Sequence, residues 1–331
     1  MSATSTLPTI SAGPLFVDGP TIDESMSTTQ AVNTLEAVLL SGFDPEQDSP
    51  RSRVDTTSGL LMQMPSTLGD YVGSKLLTIT PGNADVGSPV IQGLYVLFGG
   101  GDQRPLAVMD GTTLTGMRTA AVSAFGALQL AIPGPKRLVV FGTGMQAWEH
   151  IRAFTAVFEV TSVEIIGRSG ERAEALAERA RSQGIEACTA GFDAVRHADL
   201  IVCSTSAAEP LFDGGLVADS AVVVAMGSHV PGERELDDAL MKRATVCVES
   251  LDSALREAGD VVMALASGAI ATPTELVTVA DLVQGRVTID HSRPAVFKTT
   301  GMPWEDLAIA TAIYTALTTD APATLSPQVS A

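Results

Sequence analysis

Gly142-Thr143-Gly144-Met145-Gln146-Ala147 follows the apolar run Arg137-Leu138-Val139-Val140-Phe141 and opens a helical stretch that reaches about Phe158. A glycine loop between a buried strand and a helix is the setting in which such a loop holds a dinucleotide. The first glycine permits the tight turn, the second lets the backbone approach a pyrophosphate, and the helix N-terminus supplies unpaired N–H groups. Two glycines alone are weak support, because glycines also serve bare turns. Here the surrounding pattern decides. VEIIG (163–167), ADLIVCS (198–204), AVVVAMG (221–227) and TVCVES (245–250) are short apolar runs, with helical stretches at 171–184 and 235–244 among them. Short strands alternating with helices specify βαβ units and a parallel sheet.

The fold class is therefore α/β. A Rossmann-type doubly wound parallel sheet is expected over residues 121–295, with a second, α+β unit built from residues 1–120 and 296–331. That second unit holds a short strand at Pro14–Val17, a helical stretch at Ala31–Leu40 and a loop rich in Asp, Pro and Ser at Asp44–Arg53. Strands follow at 60–64, 76–80, 90–98 and 105–109, and TTLTGMRTAAVSAFGALQLA (112–131) reads as a helix. Near the end, 295–300 reads as a strand. WEDLAIATAIYTAL (304–317) reads as an amphipathic helix that returns to the first unit to bury its apolar face. The first ten residues and the last dozen are rich in Ser, Thr, Pro and Ala and read as loose ends.

Composition narrows the partners. The chain has 331 residues, 45% of them hydrophobic, with 20 basic against 38 acidic residues and a formal charge of −18. Such an acidic surface repels phosphate backbones and anionic headgroups, so neither nucleic acid nor membrane is expected as a partner. The longest weakly polar run, Thr119–Pro133, falls short of the roughly 20 residues a membrane helix needs. Cys188, Cys203 and Cys247 lie in apolar or strand-like stretches and read as buried free thiols. With no basic start and apolar core at the N-terminus, a cytoplasmic location is expected.

The tip of the second strand bears on the cofactor. An acidic residue there would hold a ribose 2′-hydroxyl. Instead the strand ends Ile166-Gly167-Arg168-Ser169, which suits a 2′-phosphate, so NADPH is expected to be preferred, with NADH possible. Among the scarce basic residues, Arg51, Arg53, Lys75 and Arg118 stand out. Arg118 sits in an otherwise nearly uncharged helix and needs a partner. His150 reads as structural or exposed, His197 as a residue at the end of a short helix, and His291 as a loop residue. No histidine, cysteine or carboxylate set has metal spacing, so no metal is expected.

The chain resembles the ornithine cyclodeaminase and mu-crystallin family from about Pro14 to about Ala316. The resemblance rests on MPS (64–66), Lys75 with PGN (81–83), PLAVMDGTTLTGMRTAAVSA (105–124), GTGMQA (142–147), MGSHVPGERELDD (226–238) and VFKTTGMPWEDLAIA (296–310). It implies a homodimer in which the N-terminal part and the C-terminal helix form the substrate and dimerisation domain. It also implies that Arg51, Lys75 and Arg118 hold an amino- or imino-acid carboxylate, with Arg53 as an alternate to Arg51. The cofactor side takes in Gly142, Thr143, Gly144, Met145, Gln146, Arg168, Ser169, Ser204, Thr205, Gly227, Lys298 and Gly301.

Two departures matter. Cyclodeaminases of the family carry an aspartate where this chain has His229 and a glutamate where it has Met62. Those acids hold the distal amine of ornithine, and a pocket without them offers no counter-charge to a second ammonium. The resemblance then implies the reductase branch: reduction of an α-imino acid, such as the cyclic ketimines Δ1-pyrroline-2-carboxylate and Δ1-piperideine-2-carboxylate, to an L-amino acid. Lys75 is a candidate proton source, His229 borders the nitrogen side, and Met62 and Met64 shape the pocket. Cyclodeamination of a diamino acid and cofactor binding without turnover are the alternatives.

Overall fold

Alternating apolar and polar residues between positions 59 and 110 set the first sheet. The computed structural model describes residues 13–319, so the expected loose ends lie outside the described residues. The strands are β1 (Leu15–Val17), β2 (Ser52–Thr56), β3 (Gly59–Leu68), β4 (Tyr71–Ile79), β5 (Ile91–Gly99) and β6 (Arg104–Asp110). They lie in the order β1-β6-β5-β4-β3-β2, antiparallel except for the β1–β6 pair. Because side chains alternate, register decides the chemistry of each face. Met64, Lys75, Tyr95 and Met109 form one cross-strand row on the inner face, all buried. Helices α1 (Gly19–Ser25), α2 (Thr28–Leu40) and α3 (Gly111–Leu130) flank this sheet. The outer face carries Val54, Leu61, Leu76 and Leu94, exposed at 63%, 42%, 39% and 52%.

The second sheet comprises β7 (Lys136–Phe141), β8 (Val160–Ile166), β9 (Ala187–Thr189), β10 (Leu200–Cys203), β11 (Val222–Ala225), β12 (Thr245–Val248), β13 (Val277–Thr278) and β14 (Ala295–Lys298). Its order is β13-β12-β14-β11-β10-β7-β8-β9, and every pair is parallel. The connecting helices are α4 (Met145–Val157), α5 (Gly170–Ser182), α6 (Asp238–Arg243), α7 (Leu251–Glu257), α8 (Gly259–Ser267) and α9 (Val279–Val283). Every residue of β10, β11, β12 and β14 is buried, as expected for a parallel sheet covered on both faces. Strand order reverses between β7 and β10, which opens a crevice at their carboxyl ends.

The structure amends four expectations. The helix α10 (Pro303–Thr318) is not amphipathic: every residue from Pro303 to Ile313 is buried, Glu305 and Asp306 included, because it is enclosed by β3, β4, α2 and α3. Residues 52–56 form an edge strand rather than part of a loop, and all five are exposed. β14 sits between β11 and β12, so the Rossmann sheet runs to Lys298, past the expected boundary at 295, and α3 spans the other boundary while packing on α2, α4 and α10. Cys188, on the edge strand β9, is exposed, whereas Cys203 and Cys247 are buried.

Candidate active site

Lys75 points from the middle of β4 toward the first turn of α10. Its Nζ donates to Asp306 Oδ1 (3.1 Å) and lies 2.9 Å from Oδ2. Arg118, in the second turn of α3, meets the same carboxylate: its Nε donates to Asp306 Oδ1 at 2.9 Å and its Nη1 to Glu305 Oε2 at 3.0 Å. All four groups are buried, and burial is the largest influence on Lys75, Arg118 and Glu305. It pushes the Lys75 ammonium down to about 8, aided by the Arg118 cation and opposed by Asp306. Burial opposes the Arg118 charge too, but Asp306, Glu305 and Glu249 outweigh it. Burial and the neighbouring Glu249 hold Glu305 well above the usual carboxylate range.

The turn after β14 ties this cluster to a third cation. Glu249, just past β12, accepts from the N–H groups of Thr300 (2.8 Å) and Gly301 (3.0 Å). The carbonyls of the same two residues accept from Arg51 Nη2 at 3.0 and 2.7 Å, and Arg51 Nε pairs with Glu257 at 3.0 Å. Gly301 has φ +77°, and a Cβ there would lie 2.5 Å from Arg118 Nη1. Only glycine fits where the backbone is pressed against that guanidinium. Asp48 locks the adjacent loop by accepting from Ser66 Oγ on β3 (2.7 Å) and from the N–H of Trp304 on α10 (2.8 Å).

On the other side of the cleft, Gly142 has φ +122°, and a Cβ there would lie 2.6 Å from the carbonyl of Ser204. Gly144 is the N-cap of α4 and supplies no side-chain cap, while a Cβ on it would meet open space. The first N–H groups of this 13-residue helix are thus left for an anion. Thr143 packs closely on Gly167, where a Cβ would approach its methyl to 2.5 Å. Arg168, at the tip of β8, is exposed and makes no ion pair among the described residues. Met145 is exposed at the loop, and Gln146 turns a buried amide oxygen inward with no partner. An uncapped helix, a Cβ-free turn and a free arginine fit a dinucleotide.

Arg51, Lys75 and Arg118 converge through one carboxylate-and-turn network. Arg53 does not join it, because it lies exposed on β2. His229 follows β11 at the cleft mouth, its pKa lowered by its crowded surroundings and by the Arg51 and Lys298 cations. Met62 and Met64 are buried in a small cluster with Leu77. The cofactor residues divide. Lys298 is buried in an ion pair with Asp260 (3.0 Å). Ser204 and Thr205 spend their hydroxyls internally, on the Phe141 carbonyl and on Glu235. Ser169 caps α5, accepting from the Arg172 N–H. Gly301 belongs to the cation cluster rather than to the glycine loop. The sequence reading missed Asp306, Glu305, Glu249 and Asp48. A usable signal existed: the demand that Arg118 have a partner, together with two adjacent acids opening an otherwise apolar helix.

Fold and site together define a dinucleotide-binding oxidoreductase with a buried cation cluster suited to a small carboxylate. Comparison makes the class specific. A model of the ornithine cyclodeaminase/mu-crystallin family matches residues 19–320. The chain is 36% identical over 258 residues to the mouse (Mus musculus) ketimine reductase mu-crystallin, covering 77% of this chain and 80% of that protein. It is 35% identical over 248 residues to a Δ1-pyrroline-2-carboxylate reductase of Paracoccus denitrificans, covering 73% and 78%. An archaeal alanine dehydrogenase dimer with bound NAD superposes with a TM-score of 0.85 at 26% identity, over 95% of this chain and 99% of that one. The chain belongs to the ornithine cyclodeaminase/mu-crystallin family, among its NAD(P)-dependent oxidoreductases acting on C=N and CH–NH bonds.

Proposed function

We propose that the protein reduces an α-imino acid, such as Δ1-pyrroline-2-carboxylate or Δ1-piperideine-2-carboxylate, to the L-amino acid, with NADPH as the preferred reductant. The observation that carries this reading is the cation cluster. Arg118 commits Nε and Nη1 to Asp306 and Glu305 but leaves Nη2 without a partner among the described residues, and it keeps 5% exposure. That free corner, with Lys75 and Arg51 behind it, receives the substrate carboxylate and fixes the α-carbon toward the crevice. The bound cofactor supplies hydride. A protonated C=N nitrogen accepts hydride far better than a neutral one, so a proton source at the nitrogen is needed. Lys75, poised near 8, gives up a proton close to neutral pH, and Asp306 stabilises its charged form before the transfer.

The preference for NADPH is supported by Arg168, with Ser169 beside it and no acid at the strand tip. Cyclodeamination is disfavoured by Met62, which lies in an apolar cluster where a distal ammonium would need an acid. A homodimer completes the proposal, since the outer face of the first sheet leaves four large aliphatic side chains in solvent. Among the described residues no helix is long and apolar enough to cross a membrane.

The test is NADPH absorbance with each cyclic imine, run beside ornithine plus NAD with ammonia detection. Oxidation of NADPH by either imine supports the proposal. Ammonia from ornithine without imine reduction would replace it with cyclodeamination, and tight cofactor binding without any turnover would replace it with a binding role.

A further inference from the structure

A second buried charge network lies under the opposite half of the crevice, where the cation cluster does not reach. Glu235, fully buried, accepts three hydrogen bonds: from Thr205 N–H (2.9 Å) and Thr205 Oγ1 (2.7 Å) on one oxygen and from Gly227 N–H (2.8 Å) on the other. Thr205 stands just past β10 and Gly227 just past β11, so one carboxylate clamps two neighbouring strand ends. The fit is close: a Cβ on Gly227 would lie 1.9 Å from the Thr205 carbonyl. Glu235 is itself held. Asp260 Oδ1 accepts from the N–H groups of Glu235 and Leu236, both at 2.8 Å. The other Asp260 oxygen lies 3.0 Å from Lys298 Nζ, a charge contact rather than an aligned hydrogen bond. Lys298 ends β14, so the relay joins three adjacent strand ends.

We propose that Glu235 is a positioning residue that sets the loops contacting the nicotinamide half of the cofactor. The inference rests on the nicotinamide reading of the crevice. In a doubly wound sheet the two halves of a dinucleotide lie on opposite sides of the strand-order reversal. The adenosine half falls to β7 and β8, with Gly142, Gly144 and Arg168, none of which bonds to Glu235, Asp260 or Lys298. The nicotinamide half falls to the ends of β10 and β11, which Glu235 holds together. Removing the carboxylate leaves three donors unpaired and lets those two ends separate.

The halves of the cofactor make the test. Wild type and Glu235→Ala are titrated with NADPH and with 2′-phospho-ADP-ribose, which lacks the nicotinamide ring. The expected result is at least tenfold weaker NADPH binding, with 2′-phospho-ADP-ribose binding changed less than twofold. Parallel weakening of both ligands would mean a general structural lesion, and unchanged NADPH binding would mean that the clamp is dispensable; either overturns the proposal. Should Glu235→Ala fail to fold, Thr205→Val removes one of the three donors and keeps the backbone N–H. It is expected to weaken NADPH about threefold and to spare the shorter ligand, and equal effects on the two would again overturn the role. A wild-type protein that binds neither ligand refutes the preference for NADPH, whereas wild-type binding with parallel losses refutes only the role of Glu235.

Discussion

Replacing Asp306 by asparagine keeps the shape of the side chain and removes its charge. Lys75 then loses its charged partner, and Arg118 keeps only Glu305, whose pKa burial and Glu249 raise. At 2.9 Å and an effective dielectric of about 20, the Lys75–Asp306 attraction is roughly 6 kcal/mol before desolvation is counted. Breaking one side of a buried pair costs about 3–5 kcal/mol, and the amide oxygen still accepts one hydrogen bond, so about 3 kcal/mol is expected. Urea unfolding at neutral pH measures it directly. The charge also acts on Lys75, because Asp306 holds its pKa up against burial and Arg118. Without it the value falls below about 8. Lys75 donates a proton only below its pKa. Imine reduction by wild type should therefore decline as pH rises through about 8, and the variant should decline at a correspondingly lower pH. With its two cations less neutralised, the variant should also bind the imine carboxylate no more weakly than wild type. Wild-type stability combined with an unshifted pH profile would refute the assignment of Asp306 as the counter-ion of Lys75.

Three other outcomes follow from the same contacts. Arg168→Ala should raise the KM for NADPH about ten- to hundredfold, the worth of one or two charge-assisted hydrogen bonds, while the KM for NADH moves little; equal changes would sever Arg168 from the 2′-phosphate. Gly301→Ala puts a methyl group 2.5 Å from Arg118 Nη1 at φ +77°, and should cost about 1–2 kcal/mol and raise the imine KM about tenfold, both read from unfolding and steady-state kinetics. His150 is buried between Ser123 and the Gln146 carbonyl, and burial pushes its pKa from 6.5 to about 4. The unfolded chain takes up that proton first, so wild type should lose roughly 3 kcal/mol as pH falls from about 6.5 to 4, and His150→Gln should lose much less over that window.

The Rossmann sheet was legible because its signal is local: a glycine loop fixed between a strand and a helix, then apolar strands in alternation. Arg118 was legible for the opposite reason, as a rare charge in an apolar helix, whereas Arg51, in a polar loop, and Lys75 were singled out through the family resemblance. Their partners were not. Glu305 and Asp306 look like ordinary acids in the first turn of a helix, where they favour the dipole whether buried or not. Only tertiary packing reveals that α10 is enclosed on every side. Glu235 was hidden in the same way, since RELDD reads as a solvated helix start until Thr205 and Gly227 are brought to its carboxylate. The edge strand β2 escaped notice because an exposed strand shows no apolar alternation, and its polar residues spell a loop.

The first sheet begins near residue 15, yet Arg118 meets Asp306 across 188 positions of sequence. A ribosome adding about 5–20 residues each second needs roughly 10–40 s to cover that interval. Throughout it, Lys75 and Arg118 exist without the acid that neutralises them, and the inner face of the sheet lacks the helix that seals it. The entire dinucleotide-binding sheet is synthesised in the meantime. The cation cluster therefore assembles only after the whole dinucleotide-binding sheet has been made, and a chain cut short before residue 303 carries that sheet without the acids that pair with Lys75 and Arg118.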